Sequence, residues 1–222
     1  MRTSDKIIKF FFNLNKLETP SSIEVLDPYS SKETKKIVSE FYSKFYCDNN
    51  NRIICFGINP GRFGGGITGI PFTDPYFLEK NCGINSTYKK KKEISASYIY
   101  EMIETYGGVQ KFYNKFFISS ICPYGFIENG NNFNYYDNKI LLENWKKSII
   151  NWINIQLNSF GNPKKCVIIG KGKNQKFFEM INKEYKFFDE IITLPHPRWV
   201  MQYKLKEKQY HINNYVTTLK NL

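Results

Sequence analysis

The chain has 222 residues, of which 41% are hydrophobic and 17% aromatic, enough to bury about 70% of its unfolded surface around one core and to exclude wholesale disorder. A net charge of +12 suits a polyanionic partner. No run approaches the roughly 18 apolar residues of a membrane span, and the stretch from Ile7 to Phe12 is too short for the core of a signal peptide.

Residues 1–50 are expected to supply flanking helices, with 39–45 the best helical stretch. Arg52–Gly57 then reads as the first of four apolar strands, followed by 115–121, 165–170 and Glu190–Leu194. They are rich in Ile, Val and Phe without two-residue alternation, as strands covered on both faces are. Between them, 97–113 places Ile99, Met102, Ile103 and Tyr106 on one helical side, and 140–157 does the same with Leu141, Trp145, Ile149, Trp152 and Ile153. Strands alternating with helices imply right-handed crossovers. The expected fold is therefore a three-layer α/β/α arrangement around a central, mainly parallel four-stranded sheet, in a single domain over 1–222. Ligands in such folds sit beyond the strand C-termini, so the loops after Gly57, Ile121, Gly170 and Leu194 are expected to converge on one rim.

Cys47, Cys55, Cys82, Cys122 and Cys166 form no C-x-x-C pair. Buried free thiols in a reducing cytoplasm are expected, with no disulfide framework, zinc site or iron-sulfur cluster. Basic charge concentrates late in the chain, with 12 Lys and Arg against 5 Asp and Glu in 163–222. The Lys89 to Lys92 run reads as an exposed loop.

The most unusual segment follows the first strand. GINPGRFGGGITGIPFTDP, 57–75, holds six glycines and three prolines in nineteen residues. Glycines let main-chain amides approach a ligand and prolines stiffen the path, so this loop can line a pocket for a flat ring or an anion. No Lys-Ser or Lys-Thr pair follows the glycines, which excludes a P-loop. The last strand runs into Leu194, Pro195, His196, Pro197, Arg198 and Trp199, and His196 should emerge at the same rim as Asn59. Gly170-Lys171-Gly172 lacks the third glycine of a dinucleotide fingerprint. Lys171 and Lys173 suit phosphate contact at a helix start instead.

These residues resemble the uracil-DNA glycosylase superfamily, in particular its SMUG type, the single-strand-selective monofunctional uracil-DNA glycosylases, and the bacterial SMUG-like branch of that type. The first motif of that type, Gly-Met-Asn-Pro-Gly-Pro-Phe-Gly followed by Thr-Gly-Val-Pro-Phe, is matched by Gly57, Asn59, Pro60, Gly61, Phe63, Gly64, Thr68, Gly69, Pro71 and Phe72 without a gap. The segment from Phe117 to Pro123 lines up with a middle strand ending in Cys-Pro, and His196, Pro197 and Arg198 with a second motif in a shortened loop. The resemblance covers roughly residue 50 onward.

It implies hydrolysis of the N-glycosidic bond of uracil in DNA, without metal or cofactor, with the base flipped from single- or double-stranded DNA; a monomer is expected, since one open basic face must be presented to DNA. Asn59 would hold the attacking water and His196 would stabilise the departing base. Phe72 would stack on the flipped ring, the amides of Gly61 and Gly65 would complete the pocket, and Arg62, Lys171, Lys173 and Arg198, or Trp199 in place of Arg198, would meet DNA. Two departures stand out. Ser120 replaces the Asn that reads the uracil edge, which suggests a wider range including xanthine and hypoxanthine. Gly65 replaces a Met, leaving room near the pyrimidine C5. Asp74, in Thr73-Asp74-Pro75, is expected to cap a helix and not to activate water. The alternative function is a DNA-binding module of the same fold that has lost the reaction.

Overall fold

The computed structural model describes residues 1–222. In chain order its helices and strands are α1 (Thr3–Phe12), β1 (Ile23–Leu26), α2 (Lys32–Phe45), β2 (Arg52–Gly57), α3 (Gly65–Thr68), α4 (Pro75–Lys80), α5 (Ile94–Tyr106), α6 (Val109–Lys115), β3 (Phe116–Ser120), β4 (Gly125–Glu128), β5 (Asn131–Phe133), α7 (Lys139–Phe160), β6 (Gly161–Ile169), α8 (Lys173–Tyr185), β7 (Glu190–Leu194), α9 (Pro197–Tyr203) and α10 (Lys208–Lys220). The central sheet has the order β3-β2-β6-β7 with every pair parallel. Every residue of β2 and β3 is buried.

Successive side chains of a strand point to opposite faces, and both faces here are covered. Phe117 meets the rings of Phe11 in α1, Tyr42 in α2 and Phe160 in α7. Its neighbour Ile118, together with Cys55 and Val167, faces Met102 of α5, Phe112 of α6 and Tyr215 and Leu219 of α10. Double coverage is why the strands read as continuous apolar runs. Helix α2 shows the complementary pattern: Ser31 caps it by accepting from the Thr34 amide, and Thr34, Ile37, Val38, Phe41, Tyr42 and Phe45 form its buried stripe. The three-layer α/β/α architecture and the four parallel strands agree with the sequence reading.

Several details differ. The helix expected over 97–113 is two helices, α5 and α6, because Gly107 and Gly108 take φ of +127° and +91° and end α5. The third central strand begins at Gly161, not at 165. Residues 1–50 supply a strand as well as helices: β1 pairs antiparallel with β4, and β4 with β5, in a second sheet of order β1-β4-β5. Four of the cysteines are buried and all five are free, but Cys47 is exposed. No helix is long and apolar enough to cross a membrane.

Candidate active site

At the C-terminal rim of the parallel sheet, the ends of β2, β3, β6 and β7 open onto one cavity of about 320 Å³. Asn59 enters it from the loop after β2, Ser120 from the end of β3, Lys171 from the loop after β6 and His196 from the loop after β7. Gly61, Gly65, Phe72, Arg198 and Trp199 complete the group that the sequence reading placed there.

His196 is the N-cap of α9, and its Nδ1 accepts a hydrogen bond from the Arg198 backbone N–H at 3.1 Å. That bond puts the proton of the neutral ring on Nε2. Burial, then the positive charge of Arg198, lowers the imidazole pKa to about 4, so the ring is neutral at physiological pH. The chain after Pro197 is not the shortened loop expected from sequence. Pro197 sits at the first helical position, where its missing N–H is harmless, and Arg198 and Trp199 ride on the first turn of α9. Trp199 is 42% exposed. The Tyr215 hydroxyl of α10 donates to the Pro195 carbonyl and holds this segment from behind.

The Asn59 amide is oriented at both ends. Its Nδ2 donates to the Phe133 carbonyl at 3.2 Å, and its Oδ1 accepts from the Tyr135 N–H at 3.2 Å, which leaves a second lone pair on Oδ1. Both partners lie on the segment leaving β5. The β4–β5 hairpin thus serves as a brace for the glycine-rich loop, and Asn132 reinforces it by accepting from the Arg62 N–H at 3.1 Å. Asn132, Asn134 and Tyr136 also line the cavity.

Phe72 is partly buried and lies against the end of β2. A Cβ on Gly57 would come within 2.8 Å of its ring, so only glycine admits the ring there. Phe72 holds φ at +54°, a left-handed conformation that costs a bulky residue roughly 1 to 3 kcal/mol. This places its ring 5.6 Å from the imidazole of His196, centroid to centroid. The N–H groups of Gly61 and Gly65 have no partner within the protein, and neither does the Ser120 hydroxyl. The cavity therefore presents unpaired donors from the main chain and a rotatable hydroxyl beside an aromatic face.

Asp74 caps α4, as expected: it is fully buried, accepts from the Phe77 N–H at 2.9 Å and uses its other oxygen to accept from the Glu93 N–H at 2.7 Å. Glu93 itself lines the cavity and was missed in the sequence, since it follows the Lys89–Lys92 run. Of the remaining expected contacts, Arg62 and Lys173 fall outside the cavity. Arg62 donates to the Gly130 carbonyl and packs on Phe63, and Lys173 lies 3.7 Å from Asp137. Both are exposed or half-exposed at the rim, where they can meet a larger ligand but not one confined to the cavity. No group of three or more His, Cys, Asp or Glu side chains is placed to hold a metal ion.

The model of the family described as "Uracil DNA glycosylase superfamily" matches residues 43–220. The crystal structure of wild-type Pedobacter heparinus SMUG2 superposes with a TM-score of 0.95 at 43% identity, over 100% of this chain and 98% of that one. No curated protein matches the chain.

Proposed function

This chain belongs to the uracil DNA glycosylase superfamily and is a DNA glycosylase, and from that premise we propose that it hydrolyses the N-glycosidic bond of uracil, and of other deaminated bases, in DNA. The observation that carries this reading is the meeting of Asn59 and His196 in one cavity beside Phe72.

Cleavage of this bond builds positive charge on the sugar and negative charge on the departing base, so the site has to place a water and quiet an anion. An amide is not a base at neutral pH, but the free lone pair on Asn59 Oδ1 accepts a hydrogen bond from water and aims it at C1′. The C1′–N1 bond breaks, its electron pair stays with the base, water adds to C1′ and its proton passes to solvent. His196 Nε2–H donates to the pyrimidine O2 as charge develops there. A preorganised neutral donor of this kind lowers the barrier by an amount on the order of 2.7 to 4 kcal/mol.

The base must first leave its stack, at a few kcal/mol for a paired base and less for a single strand. Stacking on Phe72 offsets this by roughly 1 to 3 kcal/mol. Lys171 and Arg198 at the cavity, with Arg62 and Lys173 outside it, supply the phosphate contacts, and Arg198 or Trp199 fills the vacated space. Ser120 in place of an edge-reading amide, and Gly65 in place of a larger residue, favour a range that includes xanthine and hypoxanthine. Converting Ser120→Asn should shift single-turnover selectivity toward uracil; unchanged selectivity removes Ser120 from the explanation.

The test of the reading itself is alkali-induced scission of a labelled oligonucleotide containing one uracil after incubation with the protein. The wild type should cut at the abasic site, and Asn59→Ala and His196→Ala should not. Absence of scission with the wild type would return the chain to a DNA-binding role without chemistry.

A further inference from the structure

The cavity holds one acidic side chain, and nothing in the mechanism above uses it. Glu93 occupies the N-cap position of α5, yet its carboxyl does not cap the helix. The backbone of Glu93 is instead pinned by Asp74, and the carboxyl is turned over the glycine-rich loop. A Cβ on Gly64 would collide with Oε2, and one on Gly61 would approach Oε1 to 3.2 Å. Neither carboxyl oxygen has a hydrogen-bond partner within the protein. Glycines at these two positions thus leave the space that the carboxyl fills, on a cavity that Gly65, Phe72 and His196 also line.

The Glu93 carboxyl lies over the Gly61–Gly64 loop on the cavity that His196 also lines. A base has two flanks beside its glycosidic bond, so one held with its O2 flank toward His196 would have the other free to meet Glu93. On that flank a pyrimidine presents the C5–H, which accepts nothing, whereas a purine presents the lone pair of N7. We propose that Glu93 is a catalytic proton donor to N7 of a deaminated purine, giving the cavity a second leaving-group device that uracil does not engage.

The inference rests on the glycosylase reading above. As the C1′–N9 bond breaks, its electron pair moves into the imidazole ring, the Glu93 O–H bond breaks and the proton goes to N7. The purine leaves as a neutral molecule. Water adds to C1′ and releases its proton to solvent, from which the Glu93 carboxylate is reprotonated.

Burial and the negative charge of Asp74 raise the Glu93 pKa to about 7, with Arg198 opposing them. A substantial protonated fraction is therefore present near neutrality, as an efficient general acid requires. The charged groups acting on Glu93 are Asp74 from the cap of α4 and Arg198 from α9, and the neutral His196 lines the same cavity. On its own segment, Lys91 and Lys92 are drawn onto the rings of Phe63 and Tyr76, at 3.8 and 4.2 Å. Arg62 of the facing loop is turned toward Gly130.

The experiment compares single-turnover excision of hypoxanthine, 7-deazahypoxanthine and uracil from single-stranded oligonucleotides by the full chain and by Glu93→Gln, between pH 5 and 9. With hypoxanthine, the wild-type rate should fall as pH rises through about 7, and Glu93→Gln should remove that limb. The ratio of hypoxanthine to uracil rates should drop by roughly 10²-fold in the variant. The 7-deaza base, which lacks the acceptor, should be processed no faster by the wild type than by Glu93→Gln. An equal loss on hypoxanthine and uracil would make Glu93 a structural support and overturn the proposal, as would a wild type that removes uracil but not hypoxanthine. A wild type that removes no base at all defeats the glycosylase reading, a separate failure recognised by the missing uracil activity.

Discussion

His196 and Glu93 line the same cavity, and loss of water moves their protons in opposite senses. The imidazole is driven down to about 4 and the carboxyl up to about 7, because burial penalises the charged form of either group. The secondary influences reinforce the contrast: Arg198 adds to the depression of His196, and Asp74 to the elevation of Glu93. A wall built around a histidine and a wall built around a glutamate thus both approach neutrality. The difference lies in what each offers a ligand. His196 keeps a fixed donor through the whole physiological range, whereas Glu93 offers one only while its proton lasts. Fixed positive charge is left to Lys171 and Arg198, which can face phosphates without perturbing the ring that departs.

The largest test of this contrast removes the fixed donor. His196→Asn keeps a side-chain cap for α9 but deletes Nε2–H, and uracil excision under single turnover should fall by roughly 10² to 10³-fold. Oligonucleotide binding should survive, and an undiminished rate would show that the anion is held elsewhere. The same contrast fixes the acid limb. With a depressed pKa, His196 stays neutral down to about 4, so uracil excision should hold steady between pH 7 and 5. A fall centred near the ordinary histidine pKa of about 6.5 would contradict the buried state.

A smaller effect is expected from Gly57→Ala. Its Cβ would displace the Phe72 ring, and losing the stacking worth roughly 1 to 3 kcal/mol should slow excision by about 5 to 150-fold, read as a weaker apparent affinity for the flipped base. The glutamate wall is sharpened by stability. A raised folded-state pKa contributes stability below the unfolded value near 4.5 and loses it as pH rises through about 7. The Tm difference between Glu93→Gln and wild type should therefore move in favour of the variant from pH 5 to 8.5, by about 2 to 4 °C per kcal/mol in a chain of this size. A constant difference would mean that the carboxyl pays no burial penalty. The smallest effect concerns the brace: Gly130→Ala, at φ +72° in the β4–β5 turn, should lower stability by about 1 kcal/mol in urea unfolding.

Much of this cavity could be read in the sequence, because its parts come from local patterns joined by a general rule. The runs Arg52–Gly57 and Glu190–Leu194 coincide with β2 and β7 residue for residue, and parallel strands carry their following loops to one rim. That logic brings Asn59 and His196 together, and the family resemblance adds Phe72 and Ser120. What escaped depends on contacts between distant segments. Strands β1, β4 and β5 have three or four residues each, and Asn131 and Asn132 are exposed, so no alternation reveals them. One signal was present: Asn129-Gly130, both at positive φ, is the dipeptide of a tight hairpin. Glu93 had no local signal. It follows four lysines, and only the folding of that segment back over Gly61 and Gly64 removes it from water. The break at Gly107-Gly108 has a local signal in the glycine pair, but the apolar stripe from Ile99 to Tyr106 that precedes it carries the helix reading through to 113.

The lock on the His196 tautomer is made by the main-chain N–H of residue 198, while the guanidinium of the same residue projects at the cavity mouth. One position thereby serves two masters through different atoms. Any amino acid except proline preserves the lock, so evolution or an engineer can exchange the probe that samples the nucleic acid while the leaving-group chemistry behind it persists.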